Sequence, residues 1–558
     1  MVKRIINFFG KEIEELHEAA YLLAVFAFLS QILALLRDRL LAKNFGASEI
    51  VDVYYASFRI PDLLFVLITA VVSAAVLVPI FSKEISEYKN FKKTVDSLFT
   101  VFISAAVILI SVVFIFIKPL LSFFVPDILA GGYSEELVLF TRILLLSPFF
   151  LGISQLFGGV VQAYRKFFIY AISPILYNIG IILGIIFFYP MFGPVGLVLG
   201  VVLGVIMHMV IQLPAIHRKK LFPQITTKID WQIVKKVLKL SLPRTVTMAS
   251  SQITLLILIS IASTITAGSI AIFTFAYNLQ SVPMAIIGVS YSLAAFPTLS
   301  RLFAQNKTDE FLEKLITATR HIIFWSFPVI VMFIVLRAQI VRVILGAGEF
   351  SWADTRLTAA ALAIFSISVV AQSLILIFVR GYYSAGQTRK PLLINIFSVL
   401  ITIVLAFLLI NFYANNQTFQ TFFEQILRVE NLPGTSVLML PLAFSIGMII
   451  NVSILWYYFG KSFKGFTSRV MRVLLQSSIS SFSAGFVAYL LLQVFSEVFD
   501  LTTLFGIFMQ GFLSGIMGLA VGLIILILFK NYEITEIWKT IHHKFWKTRV
   551  VTSGQEEL

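Results

Sequence analysis

The chain has 558 residues, 59% hydrophobic and 13% charged, with a mean hydropathy of +0.95 and a formal net charge of +15. Apolar runs of about 20 residues recur along its length, which excludes a string of soluble domains and marks a polytopic membrane protein. Cysteine is absent, so a disulfide framework, a thiolate nucleophile and a thiolate metal site are excluded as well.

Residues 1–16 read as an amphipathic segment on the cytoplasmic side. The apolar run that begins near Ala19 lacks a small-residue cleavage site and reads as a retained helix, not a signal. About fourteen spans follow in order, near 17–42, 50–81, 95–117, 137–160, 168–189, 192–216, 233–262, 269–298, 315–337, 355–384, 391–413, 436–459, 470–496 and 502–529. The expected fold is therefore all-α.

Between the first two runs the sequence LRDRLLAKNFGASEIVDVYYASFRIP crowds Arg37, Asp38, Arg39, Lys43, Asp52 and Arg59 together. Charge inside a membrane costs roughly 2.5 to 3.5 kcal/mol per residue on insertion scales, so the cluster is either an interface or a binding site. Arg37 lies about 30 Å along a helix from His17, near the full hydrocarbon thickness, which fits the interface reading. Gln31 and Asp38 are nearly on one helix face, with Arg37 on the adjacent one. Asp38 and Asp52 are placed to pair with Arg37 and Arg59, and either aspartate is a candidate for binding a coupling proton or sodium ion. Arg39 and Lys43 read as interface residues.

Further along, His208 lies well within the sixth span and reads as a helix-packing residue. The basic stretch 217–239 reads as a linker. Arg244 follows Pro243 in the seventh span; it is either a binding cation or a snorkelling arginine at the cytoplasmic end. Prolines including Pro61, Pro79, Pro148, Pro174, Pro243, Pro283, Pro297, Pro328 and Pro441 punctuate the spans as bends or cavity-lining breaks. LGAGEF at 345–350 reads as a turn. FQTFFEQILRVE, between 411 and 434, reads as a short amphipathic helix on the outer leaflet.

The basic residues gather in alternate connections: SKEISEYKNFKKTVD, YRKF, HRKKLFPQITTKIDWQIVKKVLK, RLFAQNKTDEFLEK, TRKP and KSFKGFTSRVMR. By the positive-inside rule this places both termini in the cytoplasm. The charge therefore reports topology and some attraction to anionic lipid, and no nucleic-acid partner is expected.

An internal repeat runs at an offset of about 220 residues. SQI occurs at Ser30 to Ile32 and again at Ser251 to Ile253, and a span ends at Pro79 and Ser82 in one copy and at Pro297 and Ser300 in the other. Six spans separate the copies, so the repeat is parallel. It divides the chain into an N-lobe (17–216, six spans), the linker (217–239), a C-lobe (240–459, six spans), two added helices (460–529) and a basic cytoplasmic tail (530–558). Where the first copy has LALLRDRLLAKNFGAS, the second has the uncharged LLILISIASTITAGS; the asymmetry favours a functional role for the charges. Phosphate-loop, H-E-x-x-H and G-x-S-x-G motifs are all missing, so an enzyme is not expected.

The segments SQILALLRDRLLAKNFGASEIVDVYYASFRIPDLL, GGVVQAYRKFFIYAISPILYNIGI, YNLQSVPMAIIGVSYSLAAFPTLSRL, LGAGEFSWADTRLTAAALAIFSIS and RGYYSAGQTRKPLLINI together resemble the MurJ (MviN) family, over roughly residues 20–460. That family belongs to the multidrug, oligosaccharidyl-lipid and polysaccharide exporter superfamily. The resemblance implies fourteen helices in two lobes and flipping of lipid II, an undecaprenyl-diphosphate-linked precursor, across the bacterial inner membrane by alternating access coupled to membrane potential or an ion. Membrane lipids and other cell-wall synthesis proteins are the implied partners, and no cofactor is implied. The family's first-helix Arg-Asp pair falls on Arg37 and Asp38, and its second-helix aspartate on Asp52. Its earlier first-helix arginine falls on Gln31, its second-helix arginines on Phe65 and Val66, the following acidic residue on Ala70, and its eighth-helix arginine on Asn278. With Arg59 and Arg244, the expected substrate-binding set is Gln31, Arg37, Asp38, Asp52, Arg59, Arg244 and Asn278. Two other readings stay open: an exporter of another polyprenyl-linked saccharide or amphiphile, and a transport-inactive membrane scaffold.

Overall fold

In the computed structural model, which describes residues 16–72, 76–78, 80–81, 87–463, 465–536 and 538, every regular element is helical. Residues 1–15, Pro79 and Ser82 of the repeat, and nearly all of the tail beyond 536 lie outside the described residues.

Helix α1 (Leu16–Phe45) opens the chain with 30 residues, about 45 Å at 1.5 Å per residue. The second span is broken into α2 (Glu49–Ser57) and α3 (Arg59–Ile68), which meet at Phe58. Twelve helices long and apolar enough to cross a membrane follow: α4 (Tyr88–Ile115), α5 (Ser134–Ala163), α6 (Phe167–Phe192), α7 (Val195–Arg218), α8 (Trp231–Ser263), α9 (Ser269–Ala304), α10 (Thr308–Val335), α11 (Trp352–Ser384), α12 (Arg389–Asn415), α13 (Thr435–Ser462), α14 (Phe466–Ser496) and α15 (Leu504–Leu528). Together with α1 and the α2–α3 pair they make about fourteen spans, so the chain is an all-α, multi-pass membrane protein. Their outer faces carry large exposed apolar side chains such as Ile115, Phe187, Leu393, Phe407, Phe482 and Phe486, as lipid contact requires.

The proline positions act unevenly. Pro283 is followed by a π-helical turn over Met284–Val289, because proline withholds a backbone donor and shifts the hydrogen-bond register. Pro174, Pro243, Pro297 and Pro328 sit inside continuous helix instead. Helix α7 breaks at Ile211 and Gln212, just before Pro214.

The described residues form two compact units, one from those within Met1–Val282, Val341–Ser368 and Gln387–Asn451, the other from those within Pro283–Ile340, Val369–Gly386 and Val452–Leu558. In the first, α6 and α7 pack through glycine. A Cβ on Gly180 would run into Gly204, one on Gly184 into Gly200, and one on Gly196 into the backbone of Phe188. Spacing of four residues puts these glycines on one face of each helix, so the backbones come within direct van der Waals contact. An apolar cluster including Phe81, Phe91, Leu98, Phe102 and Phe157 fills the space around α4 and α5. In the second unit α14 and α15 use the same device, with Gly518 and Gly522 against Ala484, and Ser480 Oγ donating to the Gly522 carbonyl at 2.8 Å.

The turn expected at LGAGEF forms, and Gly348 takes φ +60° there, with no room for a Cβ against the Lys43 carbonyl. The helix expected in FQTFFEQILRVE spans Gln417–Leu427. Glu424 fixes its end, its Oε1 accepting from Tyr413 at 2.9 Å, Thr435 at 2.8 Å and Gln420 at 3.0 Å.

Candidate functional site

The charges between the first two spans are gathered inside the first unit. Arg37 donates from Nε and Nη2 to Asp38 Oδ1, at 2.9 and 2.8 Å. Neighbours in a helix do not normally face one another; the long arginine folds back onto a carboxylate that is 3% exposed. Two asparagines complete the arrangement. Asn278 of α9 donates to Asp38 Oδ2 at 2.9 Å, and Asn178 of α6 accepts from Arg37 Nη1 at 3.5 Å. Asn178 in turn donates to the Ser30 carbonyl at 3.3 Å and to Ser30 Oγ at 3.2 Å, tying α6 to α1. Buried Tyr54 and Tyr55 of α2 and Tyr177 of α6 stand within reach of the Arg37 charge, and the Tyr55 hydroxyl has no hydrogen-bond partner among the described residues.

This geometry keeps a membrane-embedded cation available. Asp38 neutralises Arg37 locally, as buried charge requires, while the guanidinium side chain remains 17% exposed. A planar fork with donors to spare suits bidentate contact with phosphate or carboxylate oxygens.

Asp52 stands elsewhere. Its Oδ2 accepts from the Gly268 amide at 2.6 Å and its Oδ1 from the Ala271 amide at 2.7 Å. Gly268 stands immediately before α9 and Ala271 in its first turn, where free N–H groups attract a carboxylate. Asp52 therefore caps a helix 216 residues away and does not pair with Arg59. Gly268 makes the approach possible: it has φ +88° and no space for a Cβ against the Ala47 carbonyl. This contact joins the two copies of the repeat, since FGAS and TAGS are the corresponding corners.

Arg39, read from sequence as an interface residue, instead donates to the carbonyls of Val343 and Ile344, the latter at 3.1 Å. It thereby satisfies the end of the short helix Arg337–Ile344. Beside it the Glu349 amide donates to the Lys43 carbonyl at 3.0 Å.

Arg59 donates to the Tyr55 carbonyl at 3.2 Å and lies one turn before Asp62. Arg244 is exposed, with Tyr170 of α6 within electrostatic reach. Gln31 is half-buried on α1. The structure thus brings Arg37, Asp38 and Asn278 into direct contact and leaves Asp52, Gln31, Arg59 and Arg244 outside that contact. Asn178 went unread, although a lone asparagine in the apolar run PILYNIGI was its signal. Among the described residues no group of three or more His, Asp or Glu side chains is placed to hold a metal ion.

A family model described as "Lipid II flippase MurJ" matches residues 41–510. The chain belongs to that family. The match begins just after Arg37 and Asp38 and takes in Asp52, Arg59, Arg244 and Asn278. A protein of Rickettsia prowazekii named "Probable lipid II flippase MurJ" is 26% identical over 390 residues, covering 69% of this chain and 76% of that protein. A solved structure of lipid II flippase MurJ in an inward closed conformation covers 92% of this chain and 100% of its own, at a TM-score of 0.72 and 23% identity. An inward-facing multidrug resistance MATE family transporter of the MOP superfamily covers 80% of this chain and 94% of its own, at a TM-score of 0.60 and 15% identity. The two structures share the fold of this chain.

Proposed function

We propose that this protein is a flippase that carries the lipid-linked peptidoglycan precursor lipid II from the inner to the outer leaflet of the bacterial inner membrane by alternating access. The observation that carries the reading is the Arg37–Asp38–Asn278 contact. It sets a partly exposed guanidinium among apolar helices and joins a residue of α1 to one of α9, which lie in different copies of the repeat. The diphosphate of the substrate competes with Asp38 for Arg37, while the polyprenyl chain stays in lipid. Asp38 joins α1 to α9 through Asn278 and holds Arg37 on its own helix, so drawing Arg37 toward phosphate changes the charge balance at the contact between the two copies. Asp38 is then the candidate for a coupling proton or sodium ion, and both termini face the cytoplasm.

The test is rescue of a bacterial strain depleted of its lipid II flippase. The unaltered chain restores growth, and Arg37→Ala abolishes rescue at equal membrane abundance. Each lost charge-assisted hydrogen bond is worth about 1.5 to 3 kcal/mol, so substrate affinity falls about tenfold or more. Arg244→Ala tests whether the exposed arginine of α8 serves the same substrate. Full rescue by Arg37→Ala would overturn the assignment.

A further inference from the structure

A second polar network lies buried in the first unit, away from Arg37. His208 and Gln212 of α7 meet Ser154 of α5 and Ser173 of α6. Ser154 Oγ lies 2.7 Å from His208 Nδ1, and Gln212 Nε2 donates to Ser154 Oγ at 2.6 Å, to the His208 carbonyl at 3.2 Å and to Ser173 Oγ at 3.5 Å. Ser154 and Gln212 are each 1% exposed and Ser173 is fully buried. The other end of the Gln212 amide, Oε1, is buried with no hydrogen-bond partner among the described residues.

The hydrogen positions depend on the protonation state of His208. The Gln212 amide gives a hydrogen to Ser154, and the Ser154 hydroxyl hydrogen has two acceptors in reach, His208 Nδ1 at 2.7 Å and the His208 carbonyl at 3.4 Å; bonded to the nearer one, it requires a lone pair on Nδ1. In this arrangement the imidazole is neutral and Oε1 is left over, at a cost of the order of a lost hydrogen bond. Adding a proton at Nδ1 reverses the chain. Nδ1–H then donates to Ser154 Oγ, the Ser154 hydroxyl turns toward Gln212, and rotation of the amide by half a turn presents Oε1 as the acceptor. The orphan oxygen of the neutral state becomes the acceptor of the charged state.

We infer that His208, Ser154 and Gln212 form a proton-binding relay that reports to the break in α7. Gln212 lies in that break, at the point where α7 turns toward the linker, so the two orientations of its amide hold the joint through different bonds. The Gln212 Nε2 bond to the His208 carbonyl spans the break in the neutral state and is given up in the charged one. The surrounding groups are suited to this. Tyr170 of α6 packs near Gln212 beside Gly158, and His217 and Arg218 follow on α7. None of the ion pairs among the described residues involves His208, so protonation adds a charge that the relay alone must accommodate.

The test is pH-difference infrared spectroscopy of the full chain in nanodiscs, with histidine and glutamine isotopically labelled in turn. Acidification from about pH 8 to about pH 3 spans the ordinary histidine range and extends below it to reach a buried imidazole. The expected result is an imidazolium signal accompanied, at the same midpoint, by a shift of one glutamine side-chain carbonyl. His208→Asn removes both signals. Ser154→Ala keeps the imidazolium signal and loses the glutamine shift, while an unchanged thermal unfolding midpoint confirms that the variant is folded. A glutamine carbonyl that does not move on acidification, or that still moves in Ser154→Ala, overturns the relay. No substrate is present in the experiment, so its failure leaves the flippase assignment untouched.

Discussion

At the scale of single residues, the Arg37–Asp38 pair was legible in the sequence and its partners were not. Two charges side by side in an apolar run demand mutual neutralisation, and the structure supplies it at 2.8 Å. Asn278 and Asn178 could not be assigned to that pair from the chain alone, because an asparagine in a span has many candidate partners before the helices are packed. Asp38 held by both Arg37 and Asn278 is a buried charge with few alternatives. Arg37→Ala leaves that carboxylate uncompensated and should lower stability by about 3 to 5 kcal/mol, read as a fall in the thermal unfolding midpoint. The double variant Arg37→Met, Asp38→Leu should recover most of that loss while remaining inactive in rescue. A double variant no more stable than Arg37→Ala would show that the pair's electrostatics are not what the site depends on. Asp52 offers a parallel case. Replacing it with Asn keeps one acceptor for the α9 amides and removes the charge, so a cost of about 1 kcal/mol is expected, with Asp52→Ala costing up to about 2 kcal/mol.

At the scale of elements, the helices were readable as apolar runs, whereas the close-packing glycines of NIGIILG and VGLVLGVVLG went unread, although their four-residue spacing was the signal. Which helix met which was settled by the fold. Gly184 and Gly200 lie against each other with no space for a side chain, so Gly200→Val should separate α6 from α7 and reduce folded yield strongly. Gly193→Ala, where nothing lies within 4 Å of an added Cβ, serves as a steric control, although its φ of +61° brings a backbone cost of its own. The linker is likewise held by specific bonds. Asp230 caps α8 through Ile233 N at 3.3 Å and pairs with Lys93 at 2.9 Å. The Lys93 hydrogen bond, with the backbone amide of Ile233, holds the Asp230 carboxyl below the usual aspartate range. A carboxyl depressed in the folded state contributes stability that is present above its unfolded value, near 3.9, and is lost as pH falls through its folded value. Asp230→Asn should therefore increase backbone exchange at the start of α8 at neutral pH, and the difference from the unaltered chain should vanish in strong acid.

At the scale of the whole molecule, the repeat and the basic connections predict the topology. The natural lack of cysteine makes it testable: a single cysteine at Lys228 should react with a membrane-impermeant reagent only after the membrane is opened, and one at Gln417 should react in intact cells. Reversed labelling would invert the assigned direction of transport. The fold class, about fourteen spans and the family were all available from the order of residues, because apolar runs set by bilayer thickness are local and additive. The units were not available in that way, since their boundaries fall within helices, at Pro283, Ser368 and Asn451.

The sequence by itself determined that the chain crosses a membrane many times, that its first two spans carry a charge cluster, and that the cluster belongs with a repeat that lacks it. Tertiary structure alone decided what each charge does. Asp52 and Arg39 spend themselves on backbone groups, the amides of Gly268 and Ala271 and the carbonyls of Val343 and Ile344, and every residue carries such groups, so nothing in the sequence singles these out. Arg37 and Asp38 remain with two asparagines as the site's polar centre. The physical reason is that charge inside a membrane must find partners, and a sequence shows the demand while only the packing of helices distant in the chain shows how it is met.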